Sequence, residues 1–154
     1  MLKESIKEDL KQAVKGKREI VSSTLRLFLA ALSNKEKEKK YKTGEEKLTE
    51  EEILEIAVSE AKKRRESIKE YEKGGRQDLA DKEKSELEVL AKYLPEQLSE
   101  QEIRDIVAEA VEKTEADGMK DIGKVMSQAM PKLKGKADGS QVSQIVKQLL
   151  SQND

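Results

Sequence analysis

Lysine side chains around a glycine are the residues in this sequence that could bind an anion. The stretch 119–139 carries five lysines against two aspartates, a net charge of +3, whereas the preceding stretch 95–117 has eight acids against two bases. Ammonium groups bind phosphate oxygens, and a glycine lets a phosphate approach the backbone closely. The candidate nucleic-acid-binding residues are therefore Lys124, Lys132, Lys134, Gly135 and Lys136.

A second interpretation of the same segment is a polar turn between two helices. Asp138 is placed to cap the helix that follows, where an anion would otherwise bind. The chain has one Phe and three Tyr, none of them near this turn, so a platform for stacking bases is excluded. The residues alone favour the polar turn.

Catalytic chemistry finds little support in the sequence. The chain has no His and no Cys, so the usual general base, the thiol nucleophile and the commonest metal ligand are all missing. No serine or threonine lies in a glycine-rich or strained segment that would expose it beside a lysine base, and no acidic run has the spacing of a metal loop. We predict no catalytic residues, no metal site and no cofactor.

The basic tract 62–65 predicts a solvated helix surface more than an RNA site. Four consecutive helical positions sweep most of the way round the axis, so they cannot form a single basic face. Glutamates at 60, 66 and 70 lie near enough to compensate the charge. We expect Arg64 to form an ion pair across a helical hairpin.

Composition limits the possible partners. The 154 residues have a net charge of −1 although 41% of them are charged, which argues against a basic field covering the whole protein. No apolar run reaches the roughly 18 residues of a membrane span, and the start lacks a secretory hydrophobic region. We therefore expect a cytoplasmic protein without a membrane partner.

Helical periodicity predicts an all-α fold with a front part at 1–94. The first helix ends near Gly16, which could adopt a left-handed conformation, and carries apolar residues at 2, 6, 10, 13 and 14. The second helix carries apolar residues at 20, 21, 25, 28, 29 and 32, and residues 27 and 31 widen its buried stripe. A capping box at Thr49 and Glu52 starts a third helix. That helix and a fourth, joined at Gly74 and Gly75, form a long antiparallel hairpin packed against the first two.

Pro95 predicts a boundary, after which 95–154 forms a small C-terminal helical domain. A second capping box, at Ser99 and Glu102, starts a helix that should stop at Asp117 and Gly118. A short apolar helix follows, ending at Pro131 or Gly135, and Asp138 starts the final helix.

Three motifs together resemble the YqeY family, whose members are also called GatB/YqeY domain-containing proteins. The motifs are Tyr-Leu-Pro-Glu-Gln-Leu-Ser at 93–99, Asp-Ile-Gly-Lys-Val-Met at 121–126 and Met-Pro-Lys-Leu-Lys-Gly-Lys-Ala-Asp-Gly at 130–139. This family is similar to the C-terminal region of GatB, a subunit of the tRNA-dependent amidotransferase. The resemblance implies an all-helical protein whose tail is similar to the part of GatB that contacts tRNA, with Gly135, Lys136 and Ala137 matching a Gly-Lys-Ala element. This chain departs from the GatB pattern at Asp138 and Gly139, which add negative charge.

Three functional hypotheses follow. The first is a non-catalytic accessory protein that contacts tRNA, or an aminoacylation or transamidation protein, through the lysines of the tail. The second is a protein adaptor that binds through the charged hairpin 49–94. The third, a carbon–nitrogen ligase with glutamine as amide donor, rests on family kinship alone, because the catalytic cradle of GatB has no counterpart in this chain.

Overall fold

The structure, a computed structural model, describes residues 1–152 and confirms the all-α prediction for that part of the chain. The helices are α1 (Leu2–Lys15), α2 (Glu19–Thr43), α3 (Glu50–Lys73), α4 (Gln77–Ala91), α5 (Glu100–Thr114), α6 (Ile122–Leu133) and α7 (Gly139–Ser151), with a single 3₁₀ turn (Met119–Asp121) before α6. The described residues form two compact units, of which the first is Met1–Leu94 and the second begins at Pro95.

The front unit packs α1, α2 and the α3–α4 hairpin around one apolar core. Thr49 and Glu52 form the predicted reciprocal capping box at the start of α3. Gly75, with a φ of 72°, makes the left-handed turn that reverses the chain into α4. The largest fully buried side chains of this core are Ile6, Leu25, Phe28, Leu32 and Leu90.

Two predictions about α1 and α2 are wrong in detail. Gly16 has a φ of −82°, and the left-handed residue after α1 is Lys17, with a φ of 53°. On α2, Ile20 and Leu27 were expected in the buried stripe but are 39% and 54% exposed. The helix α2 therefore has apolar residues on two sides, and the core covers only one of them. Val14 of α1 is likewise 48% exposed.

The second unit is a three-helix arrangement of α5, α6 and α7. Ser99 and Glu102 form the second capping box, and the Asp138 carboxylate accepts from the N–H of Ser140 at the start of α7. Helix α5 ends three residues earlier than predicted, with Glu115 in a left-handed conformation. Of the two limits expected for α6, Pro131 lies inside the helix and the chain turns at Gly135. The core of this unit consists of Ile103, Val107, Val125, Ala129, Leu133, Val142, Val146 and Leu150, with their neighbours.

Among residues 1–152, no helix is long and apolar enough to cross a membrane.

Thr24 provides a test of the front core. Its side chain is fully buried on α2, and its hydroxyl makes no hydrogen bond to any described residue. A buried hydroxyl without a partner loses its hydrogen bonds to water and gains none in the folded chain, which destabilises the fold. We therefore expect Thr24→Val to raise the free energy of unfolding by about 1 kcal/mol. Chemical denaturation measures the change.

Ser22 supplies the matched control for this prediction. Its hydroxyl is also buried on α2 but donates to the carbonyl of Glu19 at 3.1 Å. We expect Ser22→Ala to bring no gain in stability. A gain equal to that of Thr24→Val would mean that hydroxyl desolvation is not the cause.

Candidate nucleic-acid interface

The lysine-rich segment folds as a tight turn directly after α6. The N–H of Lys136 donates to the carbonyl of Leu133 at 2.9 Å, and Gly135 has a φ of 78°. Lys134 before it has φ −55° and ψ 123°, so residues 133–136 form a type II β-turn. This turn requires a positive φ at its third position, which explains the glycine there.

Two hydrogen bonds hold this turn against the segment that follows Pro95. The side-chain amide of Gln97 donates to the carbonyl of Gly135 at 2.8 Å, and the N–H of Leu98 donates to the carbonyl of Lys136 at 2.9 Å. The first and third motifs therefore contact one another through one side chain-to-backbone and one backbone-to-backbone hydrogen bond. The turn presents the exposed side chains of Lys134 and Lys136 on a braced backbone.

Lys132 precedes the turn and shares a carboxylate with a lysine of α5. The ammonium group of Lys132 lies 3.5 Å from the Glu109 carboxylate, and that of Lys113 lies 2.9 Å from it. Lys113, and to a lesser extent Lys132, holds the pKa of Glu109 below its ordinary value, so this carboxylate is ionised at neutral pH. The two lysines and one glutamate together carry a single positive charge.

Lys124 lies near the other end of α6, away from the turn. Eight residues of helix separate it from Lys132, which corresponds to about 12 Å along the axis. Its ammonium group donates to the carbonyl of Thr114 at 3.3 Å and lies 4.0 Å from Asp121. The structure thus places three of the predicted residues in the turn and Lys132 next to it, whereas Lys124 contacts the end of α5.

The lysine turn belongs to a unit whose overall charge is negative. Residues 95–154 contain eleven acids and eight bases, a net charge of −3. Asp138, immediately after the turn, occupies the N-terminus of α7, as the sequence indicated. Because Asp138 already caps α7, a phosphate at the turn would be bound by lysine side chains and not by the N-terminus of that helix.

The basic tract on α3 is not a basic patch. Arg64 is only 7% exposed, and its guanidinium group forms ion pairs with Glu60 at 3.1 Å and with Glu86 of α4 at 3.3 Å. The second pair crosses the hairpin, as predicted. Lys63 pairs with Glu60 as well, at 3.1 Å.

Sequence reasoning missed a polar cluster at the end of the front unit. The phenol of Tyr93 is 5% exposed and donates to the Asp9 carboxylate at 2.6 Å, and Lys92 donates to the same oxygen at 2.9 Å. A cavity of about 210 Å³ adjoins the cluster, with Arg18 and Glu88 on its walls. Asp9 is 84 residues from Tyr93 and lies in an ordinary charged helix, so no local signal marks it. No group of acidic side chains among the described residues could hold a metal ion.

Comparisons with known proteins agree with the three motifs. The model of the family described as Yqey-like protein matches residues 3–150. The chain is 30% identical over 148 residues to "Altered inheritance of mitochondria protein 41, mitochondrial" of Pyrenophora tritici-repentis, a match covering 94% of this chain and 78% of that protein.

Other relatives match over less than two thirds of this chain. An uncharacterized protein of Schizosaccharomyces pombe is 33% identical over 94 residues, which is 61% of this chain and 72% of that protein. The protein from Vanderwaltozyma polyspora that bears the same name as the Pyrenophora one is 36% identical over 89 residues, covering 58% of this chain and 46% of that protein. The Pyrenophora and Vanderwaltozyma proteins are named as mitochondrial, and none of the three names states a ligand or a reaction.

Proposed function

Because the chain belongs to the Yqey-like family, we propose that it is a non-catalytic helical accessory protein that contacts tRNA through the lysine turn of its second unit. The observation that carries the proposal is the braced β-turn at 133–136, which presents two exposed lysines. A preformed cationic loop binds phosphate without the entropy cost of ordering itself. The resemblance of the family's motifs to the tail of GatB is the reason for choosing tRNA, or a protein of aminoacylation or transamidation, as the partner.

The charge distribution supports a small contact. Lys134 and Lys136 belong to the turn, and Lys132 adds only part of its charge because Glu109 lies beside it. Two to three phosphate contacts in a unit of net charge −3 indicate modest, salt-sensitive affinity. A role as a carbon–nitrogen ligase gains no support from any described side-chain cluster. The expectation of a cytoplasmic location stays a prediction, since two of the matched relatives are named as mitochondrial.

Charge reversal in the turn tests the proposal. We expect Lys134→Glu/Lys136→Glu to weaken tRNA binding about tenfold at low salt and to reduce the slope of log affinity against log salt by about 1.4 to 1.8, because each lost phosphate contact removes roughly 0.7 to 0.9. Filter binding of deacylated tRNA across a salt series measures both quantities.

The hairpin offers a control with the same change in net charge. Lys62 and Lys69 are exposed on α3, in the unit that the proposal leaves uninvolved. Lys62→Glu/Lys69→Glu should leave both affinity and slope nearly unchanged. Equal losses in the two double variants would show a non-specific charge effect, and the absence of tRNA binding at low salt would overturn the proposal.

A further inference from the structure

Two lysines from different helices share one carboxylate beside the lysine turn. The ammonium group of Lys113, on α5, lies 2.9 Å from Oε1 of Glu109, and that of Lys132, on α6, lies 3.5 Å from the same oxygen. Since both distances end at one atom, their sum, about 6.4 Å, is the greatest possible separation of the two ammonium groups. All three side chains are about half exposed, so a ligand can reach them. We call Lys113 and Lys132 the lysine pair.

The lysine pair carries one more positive charge than its carboxylate can neutralise. Glu109 alone would compensate Lys132, yet Lys113 reaches back one helical turn to the same group. Like charges at this separation repel each other, and a second anion between them would remove the surplus. An ammonium group contacts a phosphate oxygen at about 2.8 Å, so a single phosphate can bridge both lysines.

Contacts at both ends of α6 place the lysine pair between the turn and Lys124. Lys124, near the start of α6, donates to the carbonyl of Thr114 at 3.3 Å, and Lys132, near its end, donates to Glu109 at 3.5 Å. Helix α6 therefore runs antiparallel to α5, and Lys113 reaches from the end of α5 to the carboxylate that Lys132 contacts. The pair extends the cationic surface of the turn onto α5, in the direction of Lys124.

We propose that Lys113 and Lys132 together bind one backbone phosphate of tRNA, and that Glu109 holds the two ammonium groups in place when no RNA is bound. This inference rests on the proposed function and adds α5 to the surface that the turn provides. A carboxylate oxygen and a phosphate oxygen are equivalent acceptors for an ammonium group. Glu109 therefore preorganises the pair and also competes with the phosphate for it, which lowers the affinity for RNA.

Replacing Glu109 with glutamine tests the competition. The amide keeps the size of the side chain and leaves the site with a charge of +2 instead of +1. We expect Glu109→Gln to raise tRNA affinity about fivefold at about 50 mM salt and to steepen the slope of log affinity against log salt by roughly 0.7 to 0.9, the contribution of one phosphate contact. Filter binding of deacylated tRNA across a salt series measures both quantities.

Glu112 supplies the matched control for this gain. It is exposed on the same helix, and its carboxylate forms no ion pair within residues 1–152. Glu112→Gln makes the same change in net charge and should alter tRNA affinity by less than about twofold, because it frees no lysine. Equal gains from Glu109→Gln and Glu112→Gln, or no gain from Glu109→Gln, overturn the inference.

Replacing Lys113 with alanine tests the lysine that α5 contributes. Without Lys113, the Glu109 carboxylate neutralises Lys132, so we expect Lys113→Ala to lower tRNA affinity about fivefold at about 50 mM salt and to reduce the salt slope by roughly 0.7 to 0.9. Lys147→Ala is the control, since Lys147 is exposed on α7 and forms no ion pair with any described residue. Equal losses in the two variants would show an effect of net charge alone and overturn the inference.

The outcomes separate this inference from the proposed function. If Lys134→Glu/Lys136→Glu weakens binding but Glu109→Gln and Lys113→Ala change nothing, the turn binds tRNA and the lysine pair does not. If the changes at 109 and 113 have the expected effects but the turn variant binds normally, the pair binds tRNA and the turn does not. A chain that does not bind tRNA at low salt overturns both. Circular dichroism of each variant checks that its helical content is unchanged.

Discussion

Replacing Arg64 with alanine should lower the free energy of unfolding by about 3 kcal/mol, because removing one partner of a buried ion pair leaves the other charge uncompensated. The carboxylate-bearing side chains of Glu60 and Glu86 are only 14% and 12% exposed, and Arg64 is the cation that contacts both. The neighbouring acid Glu83 already has a raised pKa, mainly through burial and then through the charge of Glu86. This part of the α3–α4 hairpin therefore has an excess of partly buried acid, for which Arg64 is the buried cation.

Two further variants separate charge from packing at this site. The double variant Arg64→Met/Glu86→Leu should regain most of the loss, because apolar residues of similar size can replace a buried pair without leaving an unpaired charge. Arg65→Ala, at the next position, should change stability by less than about 0.5 kcal/mol. Urea denaturation of the three variants measures the differences. A loss in the double variant as large as in Arg64→Ala would show that an unpaired carboxylate is not the cause of the loss.

Local signals made most of the helical boundaries predictable. The capping boxes at Thr49 and Ser99 join residues three positions apart, so both partners of each box can be recognised in one short stretch of sequence. Pro95 likewise acts on its own neighbours, and the front unit ends at Leu94, directly before it. The two capping boxes, whose hydrogen bonds span less than one helical turn, were found where they were expected, whereas the left-handed residue expected at Gly16 is Lys17.

Apolar periodicity gave less information about α2. Ile20, Leu25, Leu27 and Phe28 all satisfy a helical pattern, yet Leu25 and Phe28 are buried and the other two are exposed. A helix with apolar residues on two sides does not reveal which side its own chain will cover. The choice depends on where α1, α3 and α4 lie, and that information is non-local.

The candidate interface shows the same limit. The lysine positions and the need for Gly135 follow from the local sequence, but the acid that neutralises part of Lys132 lies 23 residues away on α5. Gln97, which braces the turn, lies 38 residues from Gly135. Counting charges along the chain therefore indicated the lysine turn. It could not predict that Glu109 neutralises part of the charge of Lys132 or that Gln97 braces the turn.

The contact between Asp9 and Tyr93 joins the first helix of the front unit to the residues that follow its last helix. Tyr93 packs its ring near Phe28, with 5.9 Å between ring centroids, while its hydroxyl reaches Asp9. Burial, together with the hydrogen bond to Asp9, raises the pKa of Tyr93, so the phenol remains a donor at all ordinary pH values. Hydrogen bonds from Tyr93 and then Lys92 hold the pKa of Asp9 below its ordinary 3.8.

Tyr93→Phe should therefore lower the free energy of unfolding by about 2 kcal/mol at pH 7, the usual contribution of a hydrogen bond to a charged group. Because the pKa of Asp9 is lower in the folded chain than in the unfolded chain, the stabilisation is fully present above pH 3.8 and is lost as the pH falls through the lowered value. The difference between the wild-type chain and Tyr93→Phe should accordingly narrow in acid. Chemical denaturation at neutral and acid pH measures this difference in the free energy of unfolding. Tyr41→Phe is the control: Tyr41 is 93% exposed, so loss of its hydroxyl should leave the free energy of unfolding unchanged. A difference that is the same at pH 3 as at pH 7 would mean that the hydroxyl of Tyr93 stabilises the fold without acting on the charge of Asp9.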